Sequence, residues 1–258
     1  MARYERTQPG NPHQLTIRQH LLPSRTISRF CGRDGLVHMR LSERAVELRL
    51  RPDNHLFCTM RSWDQRAESG FGKAIEDGYQ VIADRLVSRS LTSLAADMHG
   101  AITEMYLLWR YRCLRARDPL PDLAINGVTG NPDLDLDAQE QLEKSRVMFI
   151  KPDGTLPGRV VAGMMLQSAI DSDWESGAHA MRWGVFSSGE LEFLVPDAFI
   201  DQPILPVAPG ICLAAGASDA ELTLEEVARV NREAVRAASK YWFVHDVVRC
   251  PVMRATAP

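Results

Sequence analysis

The chain has 258 residues, of which 45% are hydrophobic and 24% are charged, and its formal net charge is −3. These values are ordinary for a globular protein and exclude an overall basic field that would direct the chain to nucleic acid, although they leave room for a local basic patch. The start of the chain is not a signal peptide, and no run approaches the roughly 18 apolar residues of a membrane span. We therefore predict a cytoplasmic protein with no membrane partner.

The cysteines also indicate a cytoplasmic protein. Five of them are dispersed without a Cys-x-x-Cys pair, at Cys31, Cys58, Cys113, Cys212 and Cys250. An odd, scattered set in a chain without a secretory signal is typical of reduced thiols. We expect ordinary buried thiols at these positions.

The N-terminal quarter predicts a small antiparallel sheet after a flexible arm. Residues 1–18 are polar and contain two prolines, which is typical of a loose arm. Residues 26–31 and 36–39 then predict two strands around a tight turn at Asp34–Gly35, where glycine accepts a positive φ at little cost. The alternating run of residues 45–51 predicts a third strand.

The middle of the chain has a helical period. Apolar residues recur every three or four positions from Phe71 to Leu86, and a second helix is predicted from Thr92 to the basic residues before Pro119. Residues 119–136 lack a period and are rich in turn formers, so they predict a long loop. A short helix opened by Asp137 and a buried helix over residues 157–170 are predicted to follow.

The C-terminal third returns to strands. Residues 181–195 predict a hairpin, with Trp183 and Val185 on one arm, Phe193 and Val195 on the other, and Ser188–Gly189 as its turn. Another strand is predicted at residues 211–214. Thr223 and Glu226 then form a capping-box pattern, which predicts a helix start, and residues 242–248 predict a terminal strand.

The predicted elements are segregated rather than alternating, which favours an α+β fold over a doubly wound parallel sheet. We predict one α+β domain over residues 19–250, followed by a tail at residues 251–258. Its sheet, mixed or antiparallel, is built from both chain ends and carries a central helical block.

Several short motifs resemble an uncharacterised bacterial family, a domain of unknown function. That family opens with a His-Tyr-Val-Pro-x-Phe-Leu segment and later has a strand end of the form Phe-x-x-Ser-Asp-x-Pro. The matching opening here is His20-Leu-Leu-Pro23, with Phe30 ten residues after the histidine. Asp197 lies four residues after Phe193, as in the family, and the similarity spans roughly residues 19–245.

Other family positions fall on polar residues of this chain. Glu76 matches the second of two paired glutamates, while Glu68 lies one residue out of the usual step for the first. Arg112 or Arg115 matches an arginine that precedes a proline, and Asn231 matches the last helix. The chain departs from the family at three positions: Leu21 replaces the tyrosine, Pro196 the serine and Phe199 the proline after the aspartate. The family has no established activity, so the resemblance implies a fold and candidate residues only.

Two functional hypotheses follow from these residues. In the first, the protein is a metal-assisted hydrolase, acting for example on nucleic acid phosphodiesters, with His20, Glu76, Asp197 and Asn231 as catalytic residues. Glu76 and Asp197 would bind a divalent metal ion, and Arg112 and Arg115 would contact the substrate. In the second, the protein is a noncatalytic binding or interaction module that recognises nucleic acid or a protein partner.

A purely structural interpretation of the same residues is also open. His20 would then cap a strand, Glu76 pair with an arginine, Asp197 accept turn N–H groups and Asn231 bond to backbone. The arginines near the end of the second helix would be a solvated helix terminus. The familiar catalytic motifs are missing: the sequence has no Gly-x-Ser-x-Gly elbow, His-Glu-x-x-His pair or phosphate loop.

Overall fold

A computed structural model describes residues 4–42 and 46–252. These residues form an α+β fold, as the segregation of the predicted elements indicated. The α-helices are α1 Ser24–Ser28, α2 Gly72–Val87, α3 Met98–Arg117, α4 Leu136–Lys144, α5 Gly158–Glu175 and α6 Leu224–Ala237. In this part of the chain, no helix combines the length and apolar composition that a bilayer span requires.

The strands form two four-stranded sheets and two short ribbons. They are β1 Arg18–His20, β2 Val37–Leu41, β3 Glu47–Leu50, β4 Cys58–Met60, β5 Leu123–Ala124, β6 Thr155–Leu156, β7 Trp183–Ser187, β8 Val195–Pro196, β9 Ile204–Ala208, β10 Ile211–Ala215, β11 Ala220–Glu221 and β12 Tyr241–Val244. The strand orders are β3-β2-β12-β8 and β11-β7-β10-β9, while β1 pairs with β4 and β5 with β6.

The sheet β3-β2-β12-β8 contains strands from both ends of the chain. The N-terminal strand β2 lies between its hairpin partner β3 and the C-terminal strand β12, and all neighbours are antiparallel. Edge-to-face contacts of Phe243 with Phe30 and Phe57, at centroid distances of 5.5 and 5.4 Å, anchor β12 to the core. The prediction of a sheet assembled from both chain ends is therefore confirmed.

The predicted hairpin of residues 181–195 is wrong in its second arm. The turn forms, because the N–H of Leu191 donates to the carbonyl of Ser188 over 3.0 Å. The partners of β7 are β10 and β11, however, and the segment that follows β7 crosses to the other sheet and ends in β8. The N–H of Phe193 donates to the carbonyl of Pro209, and the N–H of Leu194 donates to the side chain of Asn231. The alternating apolar residues of this segment are therefore buried without pairing to β7.

The predicted strand at residues 26–31 is also wrong, because its first half belongs to α1. The N–H groups of Thr26 and Ile27 both donate to the carbonyl of Pro23, which begins a helical turn. A short apolar run does not distinguish a strand from a helical turn by its period alone. The turn at Gly35, whose φ is +74°, leads into β2 as predicted, and β3 supplies its hairpin partner.

The helices follow the predicted periods with shifted starts. Tyr79, Ile82 and Leu86 of α2 are buried. Helix α4 begins after Asp135, whose side chain accepts the N–H of Ala138, and not at Asp137 as predicted. The capping box of Thr223 and Glu226 at the start of α6 is confirmed in both directions. A short side chain immediately before a helix is the usual acceptor for its first free N–H groups.

One apolar cluster joins the helices to both sheets. It includes Leu108 of α3, Leu166 of α5, Val207 of β9 and Phe243 of β12, which identifies a single domain. Among the described residues the five cysteines are free, and Cys113 and Cys212 are buried.

The N-terminal segment lies against this domain. Leu15 is buried, and the N–H of Gln8 donates to Glu140 over 2.8 Å. The flexibility predicted for residues 1–18 concerns motion and stays a prediction. The segment predicted as a loop, residues 119–136, contains the two-residue strand β5. Of the predicted tail, only residues 251 and 252 are described.

Candidate functional site

Arg112, proposed from the sequence as a substrate contact, lies buried between two glutamates. Its Nη1 donates to Glu76, and its Nη2 lies 3.5 Å from Oε2 of Glu68. The same Glu68 oxygen accepts the indole N–H of Trp63 over 2.6 Å, and the guanidinium carbon lies 5.4 Å from the Trp63 ring centroid. Since a buried charge requires a partner, these contacts make Arg112 the centre of a structural ion cluster.

A kinked segment directly before α2 carries Glu68, the first of the two glutamates. The segment is Ala67–Phe71, and its kink lies at Gly70, whose φ of −99° and ψ of −110° are not helical. Gly72 is required at the junction, because a Cβ there would lie 2.4 Å from the carbonyl oxygen of Ala67.

Asp197 fixes the turn between α6 and β12. Its carboxylate accepts the N–H of Ser239 over 2.7 Å, the hydroxyl of Ser239 over 2.6 Å and the N–H of Lys240 over 3.3 Å. Arg117 approaches the same carboxylate to 3.5 Å. The side chain is 4% exposed, so its oxygens are used within the fold.

Asn231 has a similar structural position on α6. It is fully buried, and its side-chain oxygen accepts the N–H of Leu194 over 2.8 Å. Its amide nitrogen donates to the carbonyls of Glu192 and Pro251 over 2.9 and 3.0 Å. Asn231 therefore ties α6 to the segment that crosses between the sheets and to the C-terminal residues.

His20 and Arg115 lie apart from these groups. Nε2 of His20 is 3.1 Å from the carbonyl oxygen of Pro52. Arg115 is half-buried on α3 and makes no polar side-chain contact within the described ranges.

The hypothesis of a metal centre finds no geometric counterpart in residues 4–42 and 46–252. No group of three or more His, Cys, Asp or Glu side chains there is arranged to hold a metal ion. His20, Glu76 and Asp197 are thus not brought together as ligands, and each contacts a different partner. The contacts that the structural interpretation assigned to Glu76, Asp197 and Asn231 are all present.

A different polar site lies on the outer face of the sheet β3-β2-β12-β8. Alternate residues of β2 and β12, including Val37, Met39 and Phe243, are buried in the core. The residues between them border a cavity of about 300 Å³. Its lining consists of His38, Met39, Arg40, Glu47, Leu48, Arg49, Trp242 and Val247.

The strand register places three of these side chains in one row. Trp242 of β12 is opposite Arg40 of β2, and Arg40 is opposite Glu47 of β3. Residues directly opposite one another project from the same face of a sheet, so an indole, a guanidinium and a carboxylate follow one another across three strands. We call Trp242, Arg40 and Glu47 the sheet-face row.

The charges of the sheet-face row are available to a ligand. Arg40 and Glu47 are exposed and make no side-chain hydrogen bond or ion pair within the part of the chain that is described. The neighbouring Arg49 pairs with Asp34, so its charge is already matched. Trp242 is half-buried, with its inner part packed on the core.

Sequence reasoning missed this site. The alternation of residues 45–51 placed Glu47 and Arg49 on one face of a strand, but polar residues on an outer strand face are ordinary. The informative signal is the pairing of Arg40 with Trp242, which no local pattern contains.

Comparisons with protein-family models, with curated proteins and with solved structures found no match.

Proposed function

We propose that the protein is a noncatalytic binding module that holds a nucleotide unit on the sheet-face row, either as a free nucleotide or within single-stranded nucleic acid. The observation that carries this proposal is the row itself: one aromatic ring, and one cation and one carboxylate without an ion-pair partner among the described residues, aligned by the strand register. The cavity of about 300 Å³ lies at the lower end of the range for small-ligand sites, roughly 300–1,000 Å³.

Each side chain of the row matches one part of such a ligand. The Trp242 indole offers a face on which a base stacks, an interaction that contributes roughly 1–3 kcal/mol per base. The Arg40 guanidinium has the planar fork that binds phosphate oxygens in pairs. The Glu47 carboxylate accepts hydrogen bonds from exocyclic amino groups, which distinguish cytosine, adenine and guanine from uracil.

Metal-assisted hydrolysis is not proposed. The carboxylates on which it relied are engaged in the fold, Glu76 by Arg112 and Asp197 by Ser239. The proposed ligand agrees with the sequence-based hypothesis of nucleic acid recognition, but the binding site is the sheet-face row.

Titration calorimetry with nucleoside monophosphates, beside fluorescence anisotropy with short labelled single strands, tests the proposal. Trp242→Leu keeps apolar bulk against the core and is expected to weaken binding by about tenfold, in line with the loss of one stacked base. Arg40→Gln is expected to weaken binding and to reduce its salt dependence. Arg85→Gln, an exposed arginine of α2 outside the cavity, is the matched control.

The outcomes separate the two forms of the ligand. Similar affinity for monophosphates and single strands indicates a nucleotide site, while affinity that rises with strand length indicates a polymer site. Glu47→Leu, which removes the hydrogen-bond acceptors, is expected to remove a preference for amino-bearing bases over uracil. Absence of binding at millimolar ligand, or binding that the Trp242 and Arg40 variants leave unchanged, would overturn the proposal.

A further inference from the structure

A second surface, on the exposed side of α5, combines apolar and acidic side chains. It forms an open groove of about 430 Å³, which we call the α5 groove. Its lining residues are Arg66, Met148, Met164, Gln167, Ser168, Asp171, Ser172 and Glu175. Met148 and Met164 are 49% and 42% exposed, which is high for large apolar side chains. Methionine is common on surfaces that bind helices, because its flexible thioether adapts to a partner.

The carboxylates at one end of the α5 groove interact unfavourably with the dipole of α5. Asp171, Asp173 and Glu175 lie in the last turns of α5, where no basic residue is present. The C-terminus of a helix carries a partial negative charge, so carboxylates there are unfavourable. Asp173 is compensated by Arg110, at 3.1 Å, but Asp171 and Glu175 have no ion-pair partner in the described parts of the chain.

One more carboxyl group and one cation lie near this negative end. Burial, and then the nearby charge of Asp171, raise the pKa of Glu104. The one cation in the lining, Arg66, lies 3.6 Å from Asp64 and donates to Gln167 over 2.8 Å. Its Nε and Nη2 have no hydrogen-bond partner among the described residues, but the lining as a whole carries two carboxylates against this one guanidinium and is acidic.

We propose that the α5 groove is the docking site for a basic amphipathic helix of a partner protein. Apolar side chains of that helix would cover Met148 and Met164, and its arginines or lysines would pair with Asp171 and Glu175. The small side chains Ser168 and Ser172 lie between these two parts and allow a close approach. Charge complementarity favours this partner. A cationic segment would offset the repulsion between the carboxylates and the negative end of the α5 dipole. The site is independent of the sheet-face row.

Methyl NMR of the full chain, labelled at the methionine methyl groups, tests the proposal by position. The probe is a synthetic amphipathic peptide with leucines on one helical face and arginines beside it. Its control has the same composition in scrambled order. Titration is expected to give saturable shifts at Met148 and Met164. Met165, which is 46% exposed on the same helix but outside the groove, serves as the internal control and should not shift.

Charge variants then test the choice of partner. The double variant Asp171→Asn with Glu175→Gln is expected to weaken peptide binding by about fivefold and to lower its salt dependence. Glu225→Gln, an exposed carboxylate of α6, should leave affinity unchanged.

Three results would overturn the proposal. The first is no methionine shift at millimolar peptide. The second is a shift at Met165 as large as those at Met148 and Met164. The third is a concentration-dependent shift without peptide, which would assign the groove to a second copy of the chain.

Discussion

Two charged regions of this protein use the same residue types in opposite ways. Deep in the fold, the Glu143 carboxylate binds Arg61 over 2.7 Å and Arg159 over 2.9 Å, and their side chains are 2–5% exposed. On the sheet-face row, Arg40 and Glu47 are exposed beside a cavity and have no ion-pair partner in the described residues. We call the triad of Arg61, Glu143 and Arg159 the buried network, and the half-buried Glu5, which also pairs with Arg159, balances its second cation.

The comparison shows that the surroundings of a charged residue, rather than its type, indicate its role. Removing a charge from water is unfavourable unless a partner compensates for it, so the buried network must be complete within the fold. Exposed charges remain hydrated without a partner and stay available to a ligand. Arg112, Glu76 and Asp197 resemble the buried network in this respect.

The largest effect is expected when the buried network is broken. Glu143→Ala leaves two buried guanidinium groups without their shared carboxylate, and we expect a loss of about 3–5 kcal/mol in the free energy of unfolding. Chemical denaturation measures it, with the exposed Glu190→Ala as a control that should change stability by less than about 0.5 kcal/mol. A loss near that of the control would show that the network is not structural.

Asp197→Asn is the next test, because it separates the structural role from the metal hypothesis. The carboxylate accepts three hydrogen bonds from Ser239 and Lys240, so we expect a loss of about 1–3 kcal/mol. A metal-binding role predicts instead a variant at least as stable as wild type that has lost ion binding. Thermal melts, combined with calorimetric titration of Mg²⁺, Mn²⁺ and Zn²⁺, distinguish the two.

A smaller loss is expected at the start of α6. Thr223→Ala removes the side-chain acceptor of the Glu226 N–H and should lower the free energy of unfolding by about 0.5–2 kcal/mol. Thr223→Ser keeps the acceptor and is the matched control. Equal denaturation midpoints for Thr223→Ala and wild type would contradict the prediction.

Replacing Glu104 should raise the free energy of unfolding, whereas the changes above lower it, and the size of the gain should depend on pH. Because its pKa in the fold is raised above the ordinary 4.5, the folded state holds this proton more tightly than the unfolded state. Its contribution to stability therefore falls as pH rises from about 4.5 through the raised pKa. Glu104→Gln should be more stable than wild type at neutral pH, and the difference should vanish in acid. Denaturation at a series of pH values measures this, and a constant difference would contradict it.

The smallest stability effect is expected on the sheet-face row. Arg40→Gln should change the free energy of unfolding by no more than about 0.5 kcal/mol, because the side chain is exposed and unpaired in the described residues. A large loss of stability would show that Arg40 has a structural role, like the residues of the buried network, and would contradict its role in ligand binding.

Local sequence signals predicted much of the fold. The helical period from Tyr79 to Leu86 and the capping box of α6 are properties of neighbouring residues, and both are present. Errors occurred where long-range pairing decides the outcome. Phe193 and Val195 alternate like a hairpin arm, yet their segment leaves β7 because its backbone is paired elsewhere.

The candidate sites were less predictable for the same reason. Glu76 and Asp197 attracted attention as carboxylates, but their partners Arg112 and Ser239 lie far away in the sequence. The sheet-face row depends on the register of Arg40 against Trp242, which is set only when β12 joins β2. Neither composition nor periodicity predicts that contact.

The central position of β12 also has a consequence for how the protein is made. Strand β2 is synthesised before its second neighbour, residues 241–244, so one of its edges stays unpaired until the intervening residues have been made. An exposed strand edge is a template for aggregation. We therefore expect a nascent chain that ends before Tyr241 to depend on chaperones more strongly than a chain that extends past Val244.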